Sequence, residues 1–235
     1  MTNKDATLDL LFLCREFETQ NPSAVLRWAI ETFGADLVVG TAFGPAGIVL
    51  LHLVSQIDPR VKIFYLETDL FFSETCALRL RLQEQLGLTI EAVLPRLSLE
   101  QQAAEYGEDL WKRDPDLCCH LRKVEPLREY LTDKRAWVTG ILREQTPSRA
   151  ATQFVEWNEA NQVVKINPLI NWTSGRLWEY IRKHDLPSNP LHPCGYPSIG
   201  CRPCTRPVRP GEDPRAGRWP GFPKTECGLH LREEK

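Results

Sequence analysis

ADLVVGTAF, residues 35–43, is a run of apolar and β-branched side chains of the length of a buried strand. AGIVLLHLVSQI, residues 46–57, reads as a helix packed on that strand, and VKIFYLET, residues 61–68, as the next strand. Strand, crossover helix and strand in this order place a parallel sheet between layers of helix. The stretch therefore predicts an α/β fold with an open, mainly parallel sheet flanked by helices.

The alternation extends both ways. Upstream, Asn21-Pro22 supplies an N-cap and first helical turn, and Gly34 a stop. Downstream, Ser73 caps a helix that Gly87 ends, and TIEAVLP, residues 89–95, is a strand. Ser98 and Gln101 have the spacing of a capping box for a short helix ending near Gly107. Residues 121–133 are helical in character, residues 135–141 (RAWVTGI) and 162–169 (QVVKINPL) are strands, and residues 174–186 are a helix. From Pro187 onward Pro, Gly, Arg and Cys dominate and periodicity disappears, so this part is expected to lie over the domain as an irregular region and tail.

The chain has 235 residues, with Lys+Arg 29 against Asp+Glu 31 and a net charge of −2. That balance provides no global positive field for nucleic acid or an anionic membrane, so any anion site must be local. No apolar run reaches the ~18 residues of a membrane span. The opening MTNKDATLDLLFLCREFE lacks a basic n-region and cleavage site, which points to a cytoplasmic protein. Eight cysteines in a reducing compartment give weight to metal, cluster or redox chemistry over disulfides.

Three constellations carry chemistry. The junction Thr41-Ala42-Phe43-Gly44-Pro45-Ala46-Gly47 joins a strand to a helix N-terminus, where backbone amides favour a phosphate or sulfate. A tight ligand-free turn is an equal reading of this segment alone, and the absence of Gly-Lys-Ser/Thr excludes a Walker loop. Cys118-Cys119 with Cys201-Arg202-Pro203-Cys204 offer four thiols, suited to zinc or an iron–sulfur cluster. Adjacent cysteines strain toward one small ion, which favours a cluster with separate iron corners; buried inert thiols are the bland alternative. Lys224-Thr225-Glu226-Cys227-Gly228-Leu229-His230 places a solitary thiol on an irregular tail. A terminal cysteine is by itself usually incidental.

Taken together, CCHLRKVEPL (118–127), AWVTGILREQTPSRA (136–150), GYPSIGCRPCTRPV (195–208) and KTECGLH (224–230) resemble the cluster-containing sulfonucleotide reductases, the thioredoxin-dependent adenylylsulfate (APS) reductases of assimilatory sulfate reduction. The resemblance implies an adenine nucleotide alpha hydrolase-like fold, with a nucleotide-binding domain over residues 1–204 and a mobile tail over 205–235. It implies one 4Fe–4S cluster per chain on Cys118, Cys119, Cys201 and Cys204, and Cys227 as nucleophile. It also implies Lys123 between cluster and sulfate, Gly140 and Arg143 at the nucleotide-binding strand end, Arg149 on the phosphate side, and Arg215 and Arg218 as tail arginines that meet the substrate. With Thr41, Phe43, Gly44 and Thr68 these make the expected substrate site. The chain departs from the family pattern at Thr41, usually serine, at Glu67-Thr68-Asp69-Leu70, usually Asp-Thr-Gly-Arg, at Leu142, usually arginine, and at Thr146, usually serine. All fall at the nucleotide end.

The implied reaction is reduction of APS to sulfite and AMP. The Cys227 thiolate attacks the sulfate sulfur to give S-sulfocysteine, and a thioredoxin or glutaredoxin-like dithiol then frees sulfite. Expected partners are the sulfonucleotide and this reductant; the sequence does not give the oligomeric state and leaves a homo-oligomer open. Reduction of PAPS, alone or beside APS, is the nearest alternative. An ATP-dependent tRNA thiolase would call for Ser-Gly-Gly-x-Asp-Ser, which TAFGPAG lacks, and a non-catalytic iron–sulfur redox sensor would not need Cys227.

Overall fold

A computed structural model describes residues 8–230. The tips of both expected domains, residues 1–7 and 231–235, lie outside the described residues, as does the start of the opening stretch MTNKDATLDLLFLCREFE.

The sheet has six strands: β1 (Leu37–Gly40), β2 (Lys62–Leu66), β3 (Ile90–Val93), β4 (Ala136–Val138), β5 (Val155–Asn158) and β6 (Val163–Ile166). Their spatial order is β3-β2-β1-β4-β6-β5, every pairing being parallel except β5 with β6. The α/β expectation is met. The expected strands are present but shorter, because Gly34–Asp36 forms a 3₁₀ turn before β1 and residues 41–43 leave the sheet after it.

Nine helices flank the sheet among the described residues: α1 (Leu10–Phe17), α2 (Pro22–Phe33), α3 (Pro45–Ile57), α4 (Ser73–Leu86), α5 (Leu99–Tyr106), α6 (Leu110–Arg113), α7 (Pro115–Cys119), α8 (Glu125–Tyr130) and α9 (Ser174–Lys183). Several starts and stops are those expected, but Ser73 is the first residue of α4 rather than its cap: Phe72 holds that position with no side-chain cap bond, and the Ser73 hydroxyl donates to Glu74. The Asn21 side chain accepts from the Ala24 amide at 2.9 Å, and Ser98 and Gln101 exchange both capping-box bonds. Gly87 ends α4 in the left-handed region at φ 61°.

Four elements were not expected: α6 and α7, two short helices leading into the Cys118-Cys119 pair, and α1 and β5. Helix α1, capped by Asp9, packs Cys14 and Phe17 onto the core. Strand β5 forms an antiparallel edge, with Glu156 holding buried Lys165 at 3.0 Å. Its sequence, VEWN, mixes charge with apolar side chains and becomes a strand through its partner β6.

Helix α3 is buried along most of its length and anchors the main core; its hydrophobic run fits a helix enclosed on several sides. A second cluster gathers Leu70, Leu110, Trp219 and the four cysteines 118, 119, 201 and 204. No helix among the described residues is long and apolar enough to cross a membrane.

Candidate functional site

Strand order reverses between β1 and β4, since β2 and β3 extend to one side of β1 while β4 lies on the other. In open α/β sheets the crevice at the carboxyl ends of such strands is where ligands lie. A cavity of about 290 Å³ opens there, lined by Gly40, Thr41, Gly44, Thr68, Gly140 and residues of the C-terminal region. Gly44 is the N-cap of α3 and makes no side-chain cap bond, and Pro45 follows at the first helical position. The first amides of a helix have no partner inside it, so the positive end of α3 faces the cavity.

Close backbone approach shapes this wall. A Cβ on Gly140 would lie 3.2 Å from the Ala46 carbonyl carbon and 3.3 Å from the Gly47 amide nitrogen, so a side chain there would press the end of β4 away from the first turn of α3. Phe43 adopts φ 58° and turns its ring into the core against Tyr65, at 5.3 Å between centroids. It sets the loop and does not line the cavity.

The opposite wall is cationic. Lys123 belongs to a π-helical turn, His120–Val124, inserted between α7 and α8. Burial alone would lower its ammonium, but Cys201, Cys119 and Cys227 around it raise it above the ordinary lysine value, so it is charged. Its neighbour Arg122 is buried and donates to the Thr68 carbonyl at 2.6 Å, to Gln102 and to Asp69. The π-turn thereby fixes the 67–70 loop with one side chain and serves the cavity with the next. Arg149, Arg215 and Arg218 complete the wall. Arg143 lies elsewhere: it donates to the Thr152 carbonyl at 2.9 Å and pairs with Glu18 and Asn171.

The tail enters the same cavity. Glu226, buried, accepts from Arg149 at 2.7 Å and from the Thr146 hydroxyl at 2.9 Å. Burial opposes its charge, but these donors and Arg215 hold its carboxyl below the usual range. Cys227 follows, partly buried on the cavity wall and against the cysteine cluster. Gly228 then turns the chain at φ 94°, and the His230 ring stacks on Trp137 at 5.4 Å and 15°. Glu226 and Trp137 escaped sequence reasoning. Glu226 stood inside a quoted motif without a role, and an aromatic on a central strand reads as core.

Seven buried side-chain nitrogens among the described residues lack a protein partner, and six of them, on Trp137, Arg149, His192, Arg215, Arg218 and His230, belong to residues lining this cavity. Buried polar groups are otherwise almost always satisfied. The indole and guanidinium donors among them, with a charged lysine and a helix N-terminus, suit an anionic, hydrogen-bonding ligand.

The cysteines correct an expectation. Cys118, Cys119, Cys201 and Cys204 do come together, but among the described residues no group of three or more His, Cys, Asp or Glu side chains is arranged to hold a metal ion. Burial pushes the Cys118 thiol up to about 12 and the Cys204 thiol up to about 11, and raises Cys119 as well. In Cys201 the upward push of burial is outweighed by Lys123 and the Thr68 hydroxyl, which lower it. The expected 4Fe–4S cofactor, the iron–sulfur site of the larger domain and membership of a cluster-bearing branch are therefore not upheld, and no chemical step is derived through a metal.

Residues 36–207 match the model of the phosphoadenosine phosphosulfate reductase domain. The chain is 50% identical to an adenosine 5'-phosphosulfate reductase of Salinibacter ruber, over 96% of this chain and 90% of that protein. It is 48% identical to a phosphoadenosine 5'-phosphosulfate reductase of Gloeobacter violaceus, over 93% of this chain and 92% of that protein. A crystal structure of the phosphoadenylyl-sulfate reductase of Candida auris in a phosphate complex is similar with a TM-score of 0.74 and 32% identity, covering 82% of this chain and 94% of that one.

Proposed function

The chain belongs to the phosphoadenosine phosphosulfate reductase domain family, and on that premise we propose that it is an oxidoreductase that reduces adenosine 5'-phosphosulfate to sulfite and AMP. The observation that carries the reading is the entry of Cys227 into the cavity at the β1/β4 switch point, beside Lys123 and the arginines. Adenosine 5'-phosphosulfate reductases of Salinibacter ruber and Staphylococcus haemolyticus, 50% and 48% identical, support the substrate.

In this reading the adenosine phosphate rests against the β1–α3 loop and Gly140, and the sulfate lies toward Lys123. The Cys227 thiolate attacks the sulfate sulfur and the S–O bond to AMP breaks, its electron pair leaving with the AMP oxygen. Attack of an anion on an anion requires local cations, which Lys123, Arg149, Arg215 and Arg218 supply. One thiol of a reduced thioredoxin or glutaredoxin-like dithiol then attacks Cys227 Sγ and expels sulfite with the electron pair of the S–S bond. The second thiol resolves the mixed disulfide, returning Cys227 and leaving the donor oxidised. Residues 205–235 serve as the tail that carries Cys227 in and out, in a cytoplasm where the donor is kept reduced.

Sulfite release from APS and from PAPS, each with reduced thioredoxin, tests the reading. APS should be turned over with the lower KM; release from neither nucleotide, or PAPS used preferentially at low concentration, overturns it. Cys227→Ser should bind APS yet release no AMP or sulfite, because a serine hydroxyl stays protonated at neutral pH.

A further inference from the structure

The residue before the proposed nucleophile is built into the cavity more firmly than Cys227 itself. The Glu226 side chain is 4% exposed and bridges two cavity arginines from different parts of the chain, Arg149 at 2.7 Å and Arg215 at 3.7 Å. It also accepts from Thr146, while the Arg215 guanidinium donates to the Thr225 carbonyl at 2.8 Å. Arg149 and Thr146 sit on consecutive turns after β4, on the body of the domain, whereas Arg215 belongs to the tail segment. The carboxylate therefore fastens tail to body one residue away from Cys227. On the other side of the thiol, Gly228 turns against Val124, where a Cβ would come within 3.1 Å, so the chain is held close to the π-turn that carries Lys123.

We propose that Glu226 is a positioning residue, a carboxylate latch that docks the tail on Arg149 and so sets Cys227 in line with the cavity. This rests on the proposed function only for its activity readout; the docking itself is a property of the nucleotide-free protein. The latch has a direct chemical logic. A carboxylate shares the charge and planar bidentate geometry that a guanidinium recognises, and the Nε atoms of Arg149 and Arg215 remain without protein partners. The arginines thus hold the tail with one face and keep donors for an anionic ligand. Removing one partner of a buried ion pair leaves the other charge uncompensated, so the docked state should lose heavily when Glu226 is neutralised.

The test uses the full chain. Glu226→Gln is isosteric and uncharged; Glu226→Asp keeps the charge on a shorter stem. Without nucleotide, the pseudo-first-order rate of iodoacetamide labelling of Cys227, read on its tryptic peptide, should rise at least about tenfold in the Gln variant and less in the Asp variant. With APS and reduced thioredoxin, kcat should fall by about tenfold or more in the Gln variant, with KM changed less, and the Asp variant should recover part of it. A circular-dichroism melt checks that each variant is folded; should the Gln variant fail to fold, the Asp variant carries both readouts, with smaller changes in the same direction. Labelling within twofold of wild type in the folded variants overturns the latch, whatever the activity. Wild-type protein inactive on both nucleotides, with labelling raised as expected, keeps the latch and removes the proposed reaction. Raised labelling with undiminished kcat overturns the positioning role.

Discussion

Lys123 meets the thiol end of the cavity, with Cys119, Cys201 and Cys227 as its charge neighbours. An ammonium fixed where charge develops in the transition state is worth about 10²–10³ in rate. Lys123→Gln should therefore lower kcat/KM for APS by about that factor while the protein still binds AMP; a loss under fivefold would remove Lys123 from the chemistry. His230 makes a different prediction. Burial first, then Lys165, Arg149 and Arg215, hold its imidazole well below the ordinary histidine range, so it is neutral when docked. An undocked tail takes up a proton below about pH 6.5, so it binds more protons than the docked one there. Docking is at full strength above about pH 6.5 and weakens as pH falls below it. An NMR titration should place the His230 midpoint well under 6.5, and a midpoint at or above that value contradicts the placement of the ring against Trp137.

At the scale of elements, the cavity depends on how β4 meets α3. Gly140→Ala drives a methyl onto backbone of Ala46 and Gly47, which cannot yield as a flexible side chain would. Stability should fall by about 1–3 kcal/mol in urea titrations, and AMP affinity by roughly tenfold as the strand end shifts. Ser98→Ala is the contrast. It removes the capping box of α5, which does not line this cavity, and should cost about 1 kcal/mol with kcat/KM unchanged. The capping residues were readable because a cap is a local bond between neighbours in sequence. Strand β5 was not, because an edge strand is defined by the ladder it joins.

For the whole molecule, a slightly acidic chain concentrates Lys123, Arg149, Arg215 and Arg218 on one cavity assembled from sheet, helix and tail. A ligand that bridges these parts should stabilise the fold as a unit. AMP at about a hundred times its Kd adds roughly 2.7 kcal/mol, which for a domain of this size raises Tm by about 5–10 °C. No shift with AMP at saturating concentration, as measured by calorimetry, would mean that the cavity is not the nucleotide site. The sequence by itself determined the α/β alternation, the caps at Asn21, Gly87 and Ser98, the glycine-lined β1–α3 junction and the motifs that place the chain in its family, because each is carried by neighbouring residues or by composition. Only the tertiary structure decided that Arg143 points to Glu18 while Arg149 holds Glu226, that Phe43 belongs to the core, and that His230 lies on Trp137. It also decided that the four cysteines share a buried cluster, while among the described residues no group of three or more His, Cys, Asp or Glu side chains is arranged to hold a metal ion. Spacing lists which thiols and guanidiniums a chain owns. Their direction, burial and protonation are set by contacts made across the fold, between residues as far apart in sequence as Thr146 and Glu226.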